Sequence, residues 1–192
     1  CLIDWLHKTL RPNGKWNDER VIIFTEFKAT QNYLLTLLSA EGLSSDGRLL
    51  KLYGGMPPDD REEIKAEFQT SPKRSAVRIL LATDAASEGI DLQAYCHRLI
   101  HYEIPWNPSR MEQRNGRVDR HGQNAKEVLV YHFAPKGFQT AALTQKVPVG
   151  KLEGDIEFLT RAALKVETIR EDLGKVGPVI ADQVEEAMLG RR

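Results

Sequence analysis

The chain has 192 residues, of which 41% are hydrophobic and 28% are charged, and its formal net charge is +0. This length and composition are typical of a soluble globular domain with a proper core. A zero net charge provides no global basic field, which argues against a stand-alone nucleic-acid binder but not against a local basic patch. The two cysteines have no paired spacing, so neither a disulfide framework nor a zinc site is predicted. Cys96 precedes an apolar run and is expected in the core.

The ends of the chain and its histidines carry little functional information. No stretch approaches the roughly 18 apolar residues of a membrane helix, and the first residues lack the pattern of a signal peptide. The five histidines have no metal-ligand spacing, so no metal site is predicted. Because the chain begins with Cys rather than Met, we expect it to be a segment of a longer protein.

Five short apolar runs predict the strands of a parallel sheet. The runs are nearly continuous and rich in β-branched residues, as in strands that are buried on both faces. Their alternation with helical segments predicts right-handed crossovers and a helix-covered sheet. In chain order they span residues 20–27, 49–53, 77–84, 98–104 and 127–133.

Two helices are predicted between the first three strands. Residues 28–42 have apolar helical periodicity and end at Gly42, in the C′ position. Residues 57–72 begin with prolines and acids, which suit the positive end of a helix dipole. After the last strand the pattern changes: residues 134–155 are predicted to be a loop, and the end of the chain to be two helices broken at 174–178.

A third helix is predicted over residues 106–122, with Asn107 as N-cap, Pro108 as the first helical residue and Gly122 as the stop. One face of this helix is unusual, because an amide, a glycine and two arginines occupy positions i, i+3, i+4 and i+7, where apolar residues normally face a core. These residues are Gln113, Gly116, Arg117 and Arg120.

Two arginines one turn apart would form a preorganised pair of cations. Arginine has planar donors that suit phosphate, and it does not lose its charge. In phosphoryl transfer such arginines stabilise the charge that develops on the γ-phosphate. The alternative is that Arg117 and Arg120 form salt bridges with nearby acids such as Glu112 or Asp119.

The segment "ATDAASEGIDLQ" (82–93) directly follows the third predicted strand. In open α/β sheets, ligands bind beyond the carboxyl ends of the strands. Gly89 would let the backbone approach a ligand closely, and the Asp91 carboxylate could accept hydrogen bonds from ribose hydroxyls. Taken alone, the same residues could form an ordinary strand-to-helix turn with Asp and Ser caps.

These segments together resemble a known family. "ATDAASEGIDLQ" followed by "QRNGRVDRHGQ" resembles motifs V and VI of superfamily 2 helicases, and "PWNP" and "RVDRHGQ" resemble the Swi/Snf-type branch, especially its bacterial members. "VIIFTEF" is similar to motif IV of that family, and "LYGGMPPDDREEIKAEF" resembles the segment that follows it. The resemblance covers residues 20–135, with the motifs in the expected order. One departure is Glu88, where many members of the wider superfamily carry Arg or Gly.

The resemblance implies a fold and a domain organisation. The fold would be a RecA-like three-layer α/β domain, with a mostly parallel sheet, helices on both faces and a C-terminal helical extension. Residues 1–19 would be a lead-in, residues 20–135 the core of the second motor lobe, and residues 136–192 a loop and the helical extension. Such a lobe would work with the N-terminal RecA-like lobe of the same parent chain on double-stranded DNA, in the bacterial cytoplasm at the nucleoid and away from membranes.

The resemblance also implies roles at the nucleotide. Arg117 and Arg120 would reach the phosphates of ATP across the cleft, with Arg120 as the arginine finger and Gln113 in support. Gly89 and Asp91 would face the nucleotide.

On the nucleic-acid side, Thr83 and the backbone near Phe27 and Gly54 would lie by the strand. Trp106, beside Arg110, would stack on a base or pack over a sugar. The alternative for Trp106 is a half-buried anchor of the helix that follows it.

Two absences limit what this chain does alone. The sequence has no G-x-x-x-x-G-K-[ST] loop and no Asp-Glu pair after a strand, so the N-terminal lobe is expected to hold ATP and its Mg²⁺. The isolated chain is therefore expected to be inactive. The alternative function is a non-catalytic RecA-like module for protein interaction or nucleic-acid binding, in which the arginines are structural. A small-molecule nucleotide-binding enzyme fits poorly, because no Gly-rich fingerprint follows the first strand.

Overall fold

The computed structural model describes residues 1–84, 90–105 and 107–133. The described residues form two compact units. The larger unit contains residues 1–84, 90–102 and 114–131, and the smaller unit contains residues 103–105, 107–113 and 132–133. The predicted loop at 134–155 and the predicted terminal helices lie outside the described residues.

All five predicted strands are present, each somewhat shorter than its apolar run. In chain order the elements are α1 (Leu2–Leu10), a 3₁₀ turn (Pro12–Gly14), β1 (Val21–Thr25), α2 (Lys28–Ala40), a second 3₁₀ turn (Ser45–Gly47), β2 (Leu49–Leu52), α3 (Pro58–Gln69), β3 (Ile79–Thr83), β4 (Arg98–His101), α4 (Pro108–Asn115) and β5 (Leu129–His132).

The strands form one sheet in the order β2-β3-β1-β4-β5. β1 is parallel to both β3 and β4, and β2 is parallel to β3. The chain moves in one direction across the sheet from β1 to β2 and returns from β2 to β3. Right-handed crossovers therefore place α2 and α3 on opposite faces. The predicted α/β class with a mostly parallel sheet is confirmed.

The core lies around β1 and β3, in which every residue is buried. Alternate side chains of the two strands, among them Phe24 and Leu80, form one cluster with Phe68 of α3. Complete burial of a large apolar side chain contributes roughly 1.5–3 kcal/mol. Cys96 belongs to this cluster, as expected, and its burial raises the pKa of the thiol to about 12. The Cys96 thiol is therefore unreactive in the folded chain.

Helix α2 ends in the way that the sequence predicts. Its C-cap is Glu41, and Gly42 has φ +68°, the left-handed conformation that favours glycine. The N–H of Leu43 donates to the carbonyl of Leu38 (2.9 Å), and that of Gly42 donates to the carbonyl of Ser39 (3.1 Å). These two bonds are those of a Schellman motif, and they satisfy carbonyls that the end of the helix would otherwise leave unpaired.

An arginine lies at the start of each of the four parallel strands. These residues are Arg20, Arg48, Arg78 and Arg98. Arg20 and Arg78 are buried, and both donate to backbone carbonyls of the loops that enter the sheet. Desolvation by burial lowers the pKa of both guanidinium groups. Loop carbonyls that have no strand partner at this edge are thus satisfied by side chains.

Candidate functional site: the carboxyl edge of the sheet

The parallel register brings the ends of β1 and β3 together. Thr25 at the end of β1 lies opposite Thr83 at the end of β3. The segments that follow these strands therefore emerge at the same edge, where open α/β sheets bind ligands.

A buried polar network lies directly behind this edge. Asp84 follows β3, and Arg114 lies in the last turn of α4. The Arg114 side chain is 1% exposed and binds the Asp84 carboxylate at two points, Nε to Oδ1 at 2.5 Å and Nη2 to Oδ2 at 2.8 Å. The Arg114 guanidinium also lies over the ring of Phe24, 5.6 Å from its centroid. A two-point pair between arginine and carboxylate fixes orientation as well as distance.

His101, at the end of β4, extends this network. Its Nδ1 lies 3.2 Å from Nη1 of Arg114, and its Nε2 lies 2.9 Å from Oδ1 of Asn115. Because a guanidinium can only donate, Nδ1 must accept, which assigns the proton to Nε2 as the donor to Asn115. Charged and polar groups from the end of β3, from β4 and from α4 are thus joined in one network, in which Arg114, His101 and Asn115 are buried.

The predicted helix over 106–122 is wrong in its extent. Its start is as predicted, because the Asn107 side chain accepts from the N–H of Ser109 (2.8 Å), but α4 ends at Asn115. The Asn115 carbonyl accepts from the N–H groups of both Val118 and Asp119, and the Arg117 carbonyl accepts from the N–H of Leu92 (3.0 Å). With the Arg117 carbonyl bound to another segment, the chain turns instead of continuing as a helix.

The face of Gln113, Gly116, Arg117 and Arg120 is therefore not a continuous helical stripe. Gln113 is exposed on α4, whereas Gly116 and both arginines lie in the turn that follows α4. The buried residues at helical spacing are Met111, Arg114, Asn115 and Val118.

The turn nevertheless brings Arg120 to Asp91. Nη1 of Arg120 forms an ion pair with Oδ1 of Asp91, and the two side chains remain 45% and 52% exposed. The backbone bond from Leu92 to Arg117 holds the two segments together. Neither Glu112 nor Asp119, the acids considered from the sequence, is the partner in this ion pair.

A polar cavity of about 200 Å³ opens beside Asp91. It is lined by Glu62, Lys65, Ala66 and Gln69 of α3 together with Asp91. The Gln69 amide donates to the Asp91 carbonyl at 2.5 Å, which ties the segment to α3. Residues 91 and 92 are therefore held on two sides, by Gln69 of α3 and by the turn after α4.

On the side predicted to face nucleic acid, the structure brings Thr83 and Gly54 together. The N–H of Gly54 donates to Oγ1 of Thr83 (3.3 Å), and Phe27 is 59% exposed at the start of α2. Arg110 and Gln113 lie in the smaller unit. Gly89 and Trp106 lie outside the described residues.

The described residues contain no group of three or more His, Cys, Asp or Glu side chains that could hold a metal ion. Among the same residues, no helix is long and apolar enough to cross a membrane.

Sequence reasoning missed Arg114 and His101. The spacing did contain a sign of Arg114, because it lies three residues after Met111 and four before Val118, on the buried side of the segment. His101 ends an apolar run, and no sequence pattern indicates its partners.

Residues 2–122 match the family model "Helicase conserved C-terminal domain". The chain belongs to this family. The predicted resemblance to the C-terminal domain of helicases is confirmed.

Known relatives of this helicase C-terminal domain are much longer than the chain. It is 42% identical to the uncharacterized ATP-dependent helicase YqhH of Bacillus subtilis over 62% of this chain and 19% of the relative. It is 34% identical to the ATP-dependent RNA helicase DbpA of the same organism, over 58% of this chain and 22% of the relative. It is 31% identical to the RNA polymerase-associated protein RapA of Proteus mirabilis, over 64% of this chain and 12% of the relative. The chain thus spans less than a quarter of the length of these relatives.

The fold is also similar to a solved structure, the C-terminal part of the Fun30 ATPase domain. The TM-score is 0.59 at 19% identity, over 98% of this chain and 51% of the other. This likeness supports the RecA-like α/β fold.

Proposed function

We propose that this chain is the second motor lobe of an ATP-dependent translocase that moves along duplex DNA. The observation that carries the proposal is the exposed ion pair between Asp91 and Arg120, held beside Arg117 by the bond from Leu92. A carboxylate that can accept hydrogen bonds from ribose hydroxyls and guanidinium groups that can donate to phosphates are thus close together, at the edge of the sheet where ligands bind. The chain's relatives are ATP-dependent helicases, which supports ATP as the ligand.

Each side chain has a role in this proposal. When the N-terminal lobe presents ATP with its Mg²⁺, Asp91 exchanges Arg120 for the ribose hydroxyls, and Arg120 turns to the γ-phosphate. Arg117 binds the phosphates beside it, Gln113 supports the arginines, and Gly89 lets the backbone approach the nucleotide. A fixed guanidinium at the γ-phosphate stabilises the charge that develops as the phosphoryl group leaves.

The nucleic-acid strand would lie on the other side of the same edge. Thr83, Phe27 and Gly54 would line it. The family resemblance also supports nucleic-acid contacts by Trp106, through stacking, and by Arg110, through its charge. Duplex DNA in the bacterial cytoplasm, at the nucleoid, is the proposed substrate, although the relatives include an RNA helicase as well as an RNA polymerase-associated protein.

The test is ATP hydrolysis by the full-length protein without nucleic acid, with duplex DNA and with an RNA of the same sequence. We expect duplex DNA to stimulate hydrolysis and RNA to have little effect. Stimulation by RNA alone would overturn the DNA assignment while leaving the motor role intact. No hydrolysis under any of the three conditions would favour the alternative, a non-catalytic RecA-like module in which the Asp91–Arg120 pair is structural.

A further inference from the structure

Two lysines flank one tyrosine at the carboxyl edge of the sheet. Nζ of Lys28 lies 4.1 Å from the centroid of the Tyr53 ring, and Nζ of Lys51 lies 5.1 Å from the same centroid. We refer to these three residues as the lysine–tyrosine cluster. A cation over an aromatic face is attracted by the negative face of the ring. Tyr53 therefore keeps both ammonium groups on the same side of the molecule.

The cluster is built on fixed elements. Lys28 begins α2, Lys51 lies in β2, and Tyr53 follows β2 directly. Gln31, one turn into α2, is fully buried, and its amide donates to the carbonyls of both Leu52 (2.8 Å) and Leu81 (3.0 Å). These bonds hold the first turn of α2 over the ends of β2 and β3. The cluster accordingly lies next to Gly54.

Its two positive charges are not neutralised by the described residues. Neither Lys28 nor Lys51 forms an ion pair with a carboxylate there, whereas Lys65 on α3 pairs with Glu62. The first turn of α2 contains no acid, and a cation at that end of a helix is disfavoured by the helix dipole. In a chain of net charge +0, two such lysines form a local basic patch.

We propose that the lysine–tyrosine cluster binds the phosphodiester backbone of one strand of the duplex. This rests on the proposed function, which supplies the nucleic acid, but the contact itself is separate from ATP hydrolysis. Both Nζ atoms lie close to one ring centroid, so they are no more than about 9 Å apart. The charges of one strand recur about every 3.4 Å along the helix axis, so two neighbouring phosphates lie within reach of the two lysines. Because phosphate contacts carry no sequence information, the cluster adds affinity and position but no base preference.

The test is the salt dependence of binding between the full-length protein and a fluorescein-labelled DNA duplex. Each phosphate contact that is lost lowers the slope of log K against log salt by about 0.9. The double variant Lys28→Gln, Lys51→Gln is therefore expected to bind more weakly at low salt, with a slope shallower by about 1.8, on duplexes of any sequence. The matched control, Lys73→Gln with Lys126→Gln, removes two exposed lysines elsewhere and should leave the slope unchanged.

A second variant separates charge from folding. Lys28→Arg with Lys51→Arg keeps both charges and should retain the wild-type slope. An unchanged slope in the double glutamine variant would overturn the inference, as would equal losses in the glutamine and arginine variants. If the lysine effect is present while Arg120→Ala still hydrolyses ATP, the finger role fails and the cluster stands. If Arg120→Ala is inactive and the lysine variants bind DNA with the wild-type salt slope, the proposed role of the lysine–tyrosine cluster fails and the finger role stands.

Discussion

Arg114 does most to fix the positions of the elements around the candidate site. Its side chain is almost fully buried and binds Asp84 at two points, so it fixes the end of β3 to the end of α4. The turn that carries Arg117 and Arg120 begins two residues later. Arg114 is therefore a positioning residue: it holds the base of that turn and lies behind the surface that would meet ATP.

Removing Arg114 should destabilise the fold. In the Arg114→Gln variant the Asp84 carboxylate loses the buried Arg114 guanidinium, and removing one member of a buried ion pair typically costs about 3–5 kcal/mol. Urea unfolding of the 192-residue chain measures the loss. The double variant Asp84→Asn, Arg114→Gln should recover part of it, because no unpaired charge remains, and Arg74→Gln on the surface should change the free energy of unfolding by less than about 0.5 kcal/mol. An Arg114→Gln chain as stable as wild type would show that the pair contributes nothing.

The residues of the candidate site could be only partly predicted from the sequence. Arg117, Arg120 and Asp91 stand out because charged groups follow apolar runs, and the structure pairs Arg120 with Asp91. That partner is 29 residues away, and local spacing pointed instead to Glu112 and Asp119. Arg114 was missed because a buried arginine needs a carboxylate from another element, which no local pattern reveals.

At the scale of elements, strands and helix starts were easier to predict than helix ends. Continuous apolar runs indicate strands buried on both faces, and all five are present. The ends of α2 and α4 show the difference. Gly42 ends α2 through its own conformation, so its effect is visible in the sequence. α4 ends earlier than predicted, and beyond its end the Arg117 carbonyl accepts from the N–H of Leu92, which is distant in sequence.

Gln31 provides a test of how α2 is held on the sheet. The Gln31→Leu variant keeps a side chain of similar size but leaves the carbonyls of Leu52 and Leu81 without these donors. Leaving buried carbonyls unsatisfied costs about 1–3 kcal/mol each, so we expect a clear loss of stability in urea unfolding. The neighbouring exposed residue supplies the control, because Asn32→Leu introduces the same side chain where no buried bond is lost. Equal stability of the two variants would contradict the role given to Gln31.

At the scale of the whole molecule, the composition was uninformative and the order of the motifs was decisive. A net charge of +0 gives no sign of nucleic acid, yet the structure places a local basic cluster at Lys28 and Lys51. The RecA-like sheet and the helicase C-terminal family were both predicted from motif order and are confirmed. The assignments of Gly89 and Trp106 stay predictions, because both residues lie outside the described ranges.

In the proposed motor role, the two sides of the carboxyl edge of the sheet bind different ligands. One side holds Asp91 and Arg120 for the nucleotide, and the other holds Thr83 and Gly54 for the strand. β3 leads to both, because Thr83 ends this strand and the chain that follows it continues to Asp91.

The most direct test of the central claim is single-turnover hydrolysis of bound ATP by the full-length protein carrying Arg120→Ala, with duplex DNA present. Loss of an arginine finger lowers the rate of phosphoryl transfer by about 10³- to 10⁵-fold, and ATP affinity should change far less because the N-terminal lobe provides most of the contacts. Arg74→Ala, an exposed arginine away from this edge, should hydrolyse ATP at the wild-type rate. Wild-type hydrolysis by Arg120→Ala would contradict the account, because the Asp91–Arg120 pair would then be a structural contact only.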